Sequence, residues 1–161
     1  MITFRAPKPQ DTETIVALNE AVVAVTSPMD SARFLHLLDV SDFCIVAEDA
    51  GAVIGFVIAM QDGAPYDNAN FSWFSERLNK FVYIDRIVIG AGGRGKGLGK
   101  QLYDQVSADA KAQGRLVMAA EMDLVPPNEG SLGFHKKNGF VALGERTYDT
   151  GKIVSMQIKN L

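Results

Sequence analysis

The sequence predicts an α/β fold in one domain, and three observations carry that reading. Apolar runs rich in Val, Ile and Phe alternate along the chain with segments whose apolar residues recur every three or four positions. The stretch from Phe81 to Gln113 is ordered as strand, glycine loop and helix. At 161 residues, with 47% hydrophobic and 22% charged side chains, the chain can bury one substantial core and has an ordinary globular composition.

The elements follow in order. Ile2 to Arg5 reads as a short strand. Asp11 or Thr12 can cap a first helix in which Ile15, Leu18, Val22 and Val25 share one face, and Ser31 can start a second that presents Phe34, Leu37 and Leu38. Phe43 to Glu48 and Ala52 to Met60 are apolar and partly β-branched, with Asp49-Ala50-Gly51 as a hairpin loop, so they pair antiparallel. Asp62 to Lys80 holds Tyr66, Asp67, Phe71, Trp73 and Phe74 among polar residues and has no strand period. Two readings stand for it: a substrate lid, since long loops inside a domain are commonly functional, or a short helix near Phe71 to Leu78 with its aromatics in the core. Phe81 to Ile89 is a strand, and Lys96 to Gln113 is a helix in which Leu98, Leu102, Val106 and Ala110 recur every four residues. Arg115 to Met122 is a further strand, interrupted by Pro126-Pro127. Asn128 to Asn138 is a helix capped by Asn128, and strands near Phe140 to Thr147 and Ile153 to Ile158 close the chain. The order is β-α-α-β-β-β-α-β-α-β-β, with no internal repeat and no low-complexity linker.

Several function classes are excluded by composition. Net charge is −3 and the basic residues are dispersed, which is no footprint for nucleic acid. No run reaches the roughly 18 apolar residues of a membrane span, and Met1 to Lys8 lacks the apolar core of a signal peptide, so a cytoplasmic protein with no membrane partner is expected. Cys44 is the only cysteine and lies in an apolar run, which makes it a buried, inert thiol. No metal is expected.

The densest signal is the loop Gly90-Ala91-Gly92-Gly93-Arg94-Gly95-Lys96-Gly97-Leu98-Gly99. Successive N–H groups there can turn toward one point, at the positive end of a helix dipole, and such a point suits a phosphate. Three patterns compete for it. The nucleotide P-loop is met by Gly90, Gly95 and Lys96, but Gly97 stands where a Ser or Thr hydroxyl should hold magnesium. The dinucleotide fingerprint fails, because its third glycine would fall on Lys100 counting from Gly95 and on Leu102 counting from Gly97. The third pattern, Gln or Arg followed by x-x-Gly-x-Gly, is met by Arg94, Gly97 and Gly99.

One helix and one strand downstream comes a second block, Asn128-Glu129-Gly130-Ser131-Leu132-Gly133-Phe134-His135-Lys136-Lys137-Asn138-Gly139-Phe140. It opens on an Asn, carries an aromatic on a short helix and ends in Gly-Phe. With both blocks in this order, the chain resembles the GNAT acyltransferase superfamily over nearly its whole length. The resemblance implies an α/β (α+β) fold with a mixed, mostly antiparallel sheet flanked by helices. It also implies transfer of an acetyl group from acetyl-coenzyme A, as cosubstrate, to a primary amine of a small molecule or peptide. A homodimer is compatible with it. A non-catalytic coenzyme A or acyl-group sensor is the alternative.

By the same resemblance, the backbone of Arg94, Gly95, Lys96, Gly97, Leu98, Gly99 and Lys100 holds the pyrophosphate. The Ile87-Val88-Ile89 strand runs beside the pantetheine arm, with Asn128, Ser131 and Phe134 on its far side. The family's strand Glu corresponds to Tyr83 here, so the chain departs from the pattern and the base must be sought elsewhere. Glu121, near the end of the following strand, is the first choice, and Asp85 on the Tyr83 face is the second. Each has a structural reading beside it, an ion pair for Asp85 and a plain hydrogen bond for Glu121. The family's acid Tyr is replaced by His135, whose unperturbed pKa of about 6.5 suits a proton donor but also suits a surface residue. Tyr103 and Tyr148 are substitutes. Tyr66, Trp73 and Tyr83 are the candidates for contact with the acceptor, expected to be a cationic amine rather than an acidic molecule.

Overall fold

Strand backbones satisfy their N–H and C=O groups by pairing, and in the computed structural model, which describes residues 1–161, the apolar runs pair in one seven-stranded sheet. The strands are β1 (Ile2–Arg5), β2 (Phe43–Asp49), β3 (Ala52–Gln61), β4 (Phe81–Ile89), β5 (Val117–Val125), β6 (Val141–Thr147) and β7 (Ile153–Asn160). Their order across the sheet is β1-β2-β3-β4-β5-β7-β6, and every pair is antiparallel except β4 with β5. The helices are α1 (Thr12–Glu20), α2 (Ser31–Val40), α3 (Ala69–Ser75), α4 (Leu98–Ala112) and α5 (Glu129–Lys137). No helix is long and apolar enough to cross a membrane.

Each sheet face has its own core. On one, Ile15 of α1, Phe34 and Leu37 of α2 and Phe71 and Phe74 of α3 pack on Phe56, Ile58, Phe81 and Tyr83. On the other, Leu98, Leu102, Val106 and Ala110 of α4 pack on Val57, Val82, Ile84 and Met118. The every-fourth spacing of α4 is therefore its buried stripe. Cys44 is half-buried against the first core, and burial pushes its thiol up to about 12.

Three elements differ from the sequence reading. The first helix stops at Glu20, so Val22 and Val25 leave its face. The β-branched run Val22-Val23, then Val25-Thr26, disfavours a continued helix, and tight bonds from Val22 to Asn19 and from Val23 to Glu20 replace the helical ones. The glycine-loop helix begins at Leu98 rather than Lys96, because Gly97 has a left-handed φ of 67°. Between β3 and β4 lies α3, capped by Asn68, whose side chain accepts from the N–H of Asn70 and Phe71. The short-helix reading of this segment is the correct one for Phe71 and Phe74, which are buried in the core.

The site-forming feature is where the sheet comes apart. β4 and β5 pair only from Phe81 with Val117 to Tyr83 with Ala119. Beyond that point β5 is held by β7 and β4 by β3, and a register shift opposite Ile58 and Ala59 leaves Asp85 as an extra residue in β4. Such a bulge bends its strand, and here the two strands diverge past it.

Candidate active site

A cleft of about 630 Å³ fills this divergence. Its walls are Ile84 to Ile89 of β4, Ala120 to Asp123 of β5, the loop from Gly93 to Lys100, and Asn128, Ser131 and Phe134 of α5. Ile87, Val88 and Ile89 thus form one wall and Asn128, Ser131 and Phe134 another. Val22 and Val25, lost from the first helix, close the cleft from the loop that follows α1.

The loop leaves a row of backbone donors free at the start of α4. The backbone N–H groups of Gly95, Lys96, Gly97, Leu98, Gly99 and Lys100 find no acceptor within the chain, whereas the carbonyl of Gly97 already takes the first bond of α4 from Gln101. Unpaired donors at a helix N-terminus, with left-handed φ at Gly95 (74°) and Gly97 (67°), form a concave donor surface. Gly99 is needed for a different reason: a Cβ there would stand 3.0 Å from the Phe134 ring, so this glycine lets α4 approach α5. Lys96 is paired with Asp49 at 3.0 Å and Lys100 with Asp104 at 2.7 Å. Arg94 is exposed, lines the cleft and has no ion-pair partner. Such a row of donors fits a phosphate group.

A second cavity of about 400 Å³ adjoins the first, and Ser27, Asp85, Arg86, Glu121 and Tyr148 line both. At this junction Glu121 accepts from the Tyr83 hydroxyl at 2.7 and 2.9 Å and from Asn70 Nδ2 at 2.8 Å. Loss of water around the carboxylate pushes it up to about 7, opposed by the Tyr83 hydrogen bond and reinforced by the charge of Asp85. A carboxylate so poised can take up a proton near neutral pH. Asn70 Nδ2 also donates to Tyr148 Oη at 2.8 Å, which leaves the Tyr148 proton without an acceptor in the chain.

The other candidates are placed differently. Asp85 pairs with Arg86 at 2.8 Å and accepts from the Tyr66 hydroxyl, while Arg86 is held by Asn19 Oδ1 and the Ser27 carbonyl. Its oxygens are thereby committed to a buried ion pair. Tyr83 is buried in the core and meets the site only through its hydroxyl, whose pKa burial and the neighbouring Glu121 raise well above the usual value. Tyr66 lines the second cavity. Trp73 borders neither cavity: its ring packs on Gly144 and Phe74 and lies 3.9 Å under the Arg77 guanidinium.

His135 is buried rather than superficial, at 4% exposure. Its Nδ1 lies 2.7 Å from the Ser131 carbonyl, an acceptor only, so Nδ1 carries the proton and Nε2 accepts from Tyr103 Oη at 2.8 Å. Burial lowers its pKa, opposed by the hydrogen bond to the Ser131 carbonyl. In this arrangement both ring nitrogens are occupied within the protein, and the imidazole links α5 to α4.

The sequence reading missed Asn70, Arg33 and Arg146. Asn70 had one legible signal, a polar residue in an otherwise aromatic helical turn directly after the Asn68 cap. The arginines had none, because α2 and β6 reach this cavity only through tertiary packing.

The model of the acetyltransferase (GNAT) family matches residues 12–140. No curated relative matches the chain by sequence. Among solved structures, Ard1 from Thermoplasma volcanium superposes with a TM-score of 0.80 at 20% identity, covering 99% of this chain and 97% of its own. The ribosomal-protein-S18-alanine N-acetyltransferase from Escherichia coli gives a TM-score of 0.74 at 12% identity, with 99% and 94% covered. Salmonella typhimurium yncA, solved with its cofactor acetyl-CoA, gives 0.72 at 20% identity, with 100% and 94% covered. At these identities the likeness is one of fold.

Proposed function

We propose that this chain, which belongs to the acetyltransferase (GNAT) family, transfers an acetyl group from acetyl-coenzyme A to a primary amine by direct attack, as a single domain. Acetyl-coenzyme A, as cosubstrate, supplies an activated thioester. The chain's own residues bind it and manage the protons. Arg94 and the free N–H groups of Gly95 to Lys100 are assigned to the pyrophosphate, and the β4 and α5 walls to the pantetheine arm.

The observation that carries the reading is Glu121 at the junction of the two cavities, with its pKa raised to about 7. A protonated amine is no nucleophile, so a base must accept its proton. Glu121 is assigned that role. Tyr148, whose hydroxyl proton is uncommitted, is assigned proton donation toward the leaving side of the junction. Asp85 is then a positioning residue through Tyr66 and Arg86, and His135 a link between helices. No observation favours the sensor reading, which would leave a half-buried carboxylate at the junction of the two cavities without a use.

Thiol release from acetyl-coenzyme A in the presence of a panel of amines tests the assignment. Glu121→Gln is expected to lower turnover by about 10²–10⁴ at neutral pH, the usual worth of a positioned base, while coenzyme A affinity measured by calorimetry stays unchanged. Undiminished turnover in a folded Glu121→Gln protein would remove Glu121 from the chemistry.

A further inference from the structure

The acceptor cavity holds more positive charge than its ion pairs use, and we infer that the acceptor is a small amine that also bears a carboxylate, an amino acid or close analogue. Its ammonium sits at Glu121 and its carboxylate at Arg33 and Arg146. The inference rests on the acetyltransfer reading for the reaction and on the cavity for the substrate.

The acidic and basic residues lining this cavity are Arg33, Arg86, Arg146, Asp85, Glu121 and Asp149. Asp85 and Arg86 neutralise each other at 2.8 Å. Arg33 of α2 has neither an ion pair nor a side-chain hydrogen bond within the chain, and its Cζ stands 6.0 Å from the Tyr66 ring centroid. Arg146 of β6 has no carboxylate partner either; it donates to Asn70 Oδ1, with its Cζ 5.4 Å from the Tyr148 ring centroid. Asp149 is exposed at the rim, where water solvates it. Two half-buried guanidiniums therefore face the cavity without an anion, and a guanidinium's planar fork of donors matches a carboxylate.

Asn70 sets the spacing. One face of its carboxamide holds Glu121 through Nδ2 and the other holds Arg146 through Oδ1. The Glu121 carboxylate and the Arg146 guanidinium are thus one carboxamide and two hydrogen bonds apart. An ammonium and a carboxylate on the same carbon bridge a gap of that kind with the same number of hydrogen bonds. A peptide N-terminus offers a neutral amide in place of the carboxylate, and a polyamine brings a second cation toward the arginines; both leave the guanidiniums unpaired. Little apolar surface competes with these charges, since Phe71 and Phe74 are in the core, Trp73 is outside, and only Tyr66, Ala69 and Tyr148 add apolar lining.

The test compares the twenty L-amino acids with their amides and with short peptides, by thiol release from acetyl-coenzyme A and by calorimetry on the coenzyme A-loaded protein. At least one free amino acid should exceed its amide by about tenfold to a hundredfold in kcat/KM, the worth of a charge-assisted contact. In Arg33→Gln and Arg146→Gln proteins, shown to be folded by unchanged coenzyme A binding, that ratio should fall toward one. Amides or peptides used as well as free acids by the unaltered protein would overturn the inference, whatever the variants do. If nothing is acetylated but free acids still bind in preference to amides, the transfer reading falls and the assignment of the cavity stands. If neither reaction nor binding prefers the acid, the cavity assignment falls.

Discussion

Glu121 shows how one residue's environment sets its chemistry. Its pKa is raised chiefly because burial strips water from the charged form, so the folded protein binds this proton more tightly than the unfolded chain does. Two consequences follow with opposite signs. Activity that needs the ionised base rises with pH through about 7. Stability falls over the same window, from the ordinary carboxylate range up to about 7, because the native state must give up a proton it prefers to keep. Glu121→Gln is thus expected to flatten the ascending limb of the pH–rate profile, and to melt higher relative to the parent at pH 8 than at pH 5. Differential scanning calorimetry at the two pH values reads the second effect. Asn70 gives a finer check: its hydrogen bond lowers the Glu121 pKa, so Asn70→Ala should move the ascending limb to higher pH. A limb that moves to lower pH, or not at all, would remove Asn70 from the control of the base.

At the scale of elements, the glycine loop and the start of α4 act as one unit. Gly97 stands where the loop turns into α4. In the structure a Cβ there meets only the end of the Gln101 side chain, at 3.9 Å, and the requirement lies in the left-handed φ of 67°. Gly97→Val should therefore strain or reorient the loop, an outlier worth about 1–3 kcal/mol, and scatter the donors it aligns. Coenzyme A affinity by calorimetry is expected to fall more than for Arg94→Ala, which removes one charge-assisted contact worth about 1.5–3 kcal/mol and leaves the backbone in place. Equal affinity in a folded Gly97→Val protein would remove the loop from the cofactor site. α3 illustrates the other side of element-scale reading. Its aromatics invite a lid assignment, yet Phe71 and Phe74 face Tyr83 and complete the core, while the polar Asn70 on the same short helix reaches the site.

For the whole molecule, the sheet's divergence is the organising fact. Two cores clamp β4 and β5 together at Phe81 to Tyr83 and leave them apart beyond, so the cleft is part of the folded architecture rather than a surface depression. A ligand spanning β4, the loop, β5 and α5 binds only the assembled protein and must stabilise it. Coenzyme A at a hundredfold excess over its Kd is expected to add about 2.7 kcal/mol, or about 5–10 °C in Tm for a chain of this size. A melting temperature indifferent to coenzyme A would refute the cleft assignment.

How much of this was legible beforehand divides along the range of the interactions. Strand and helix identity, the α4 stripe, the Asn128 cap and the anion loop are local: each depends on neighbours a few residues away, so spacing alone revealed them. The first helix was overextended because its apolar spacing continued through a β-branched run that the backbone could not follow. The site is a different matter. Glu121 could be nominated by position, but its pKa comes from burial and from Tyr83 and Asn70, distant in sequence. Asp85 was drawn into an ion pair by Arg86, and His135 was turned inward by Tyr103, through contacts no periodicity records. Sequence by itself determined most of the secondary elements and the family they imply, because short-range backbone chemistry dictates them. Only the tertiary structure decided which carboxylate is tied into an ion pair and which arginines stand unpaired, because desolvation and pairing exist only once distant segments are packed together.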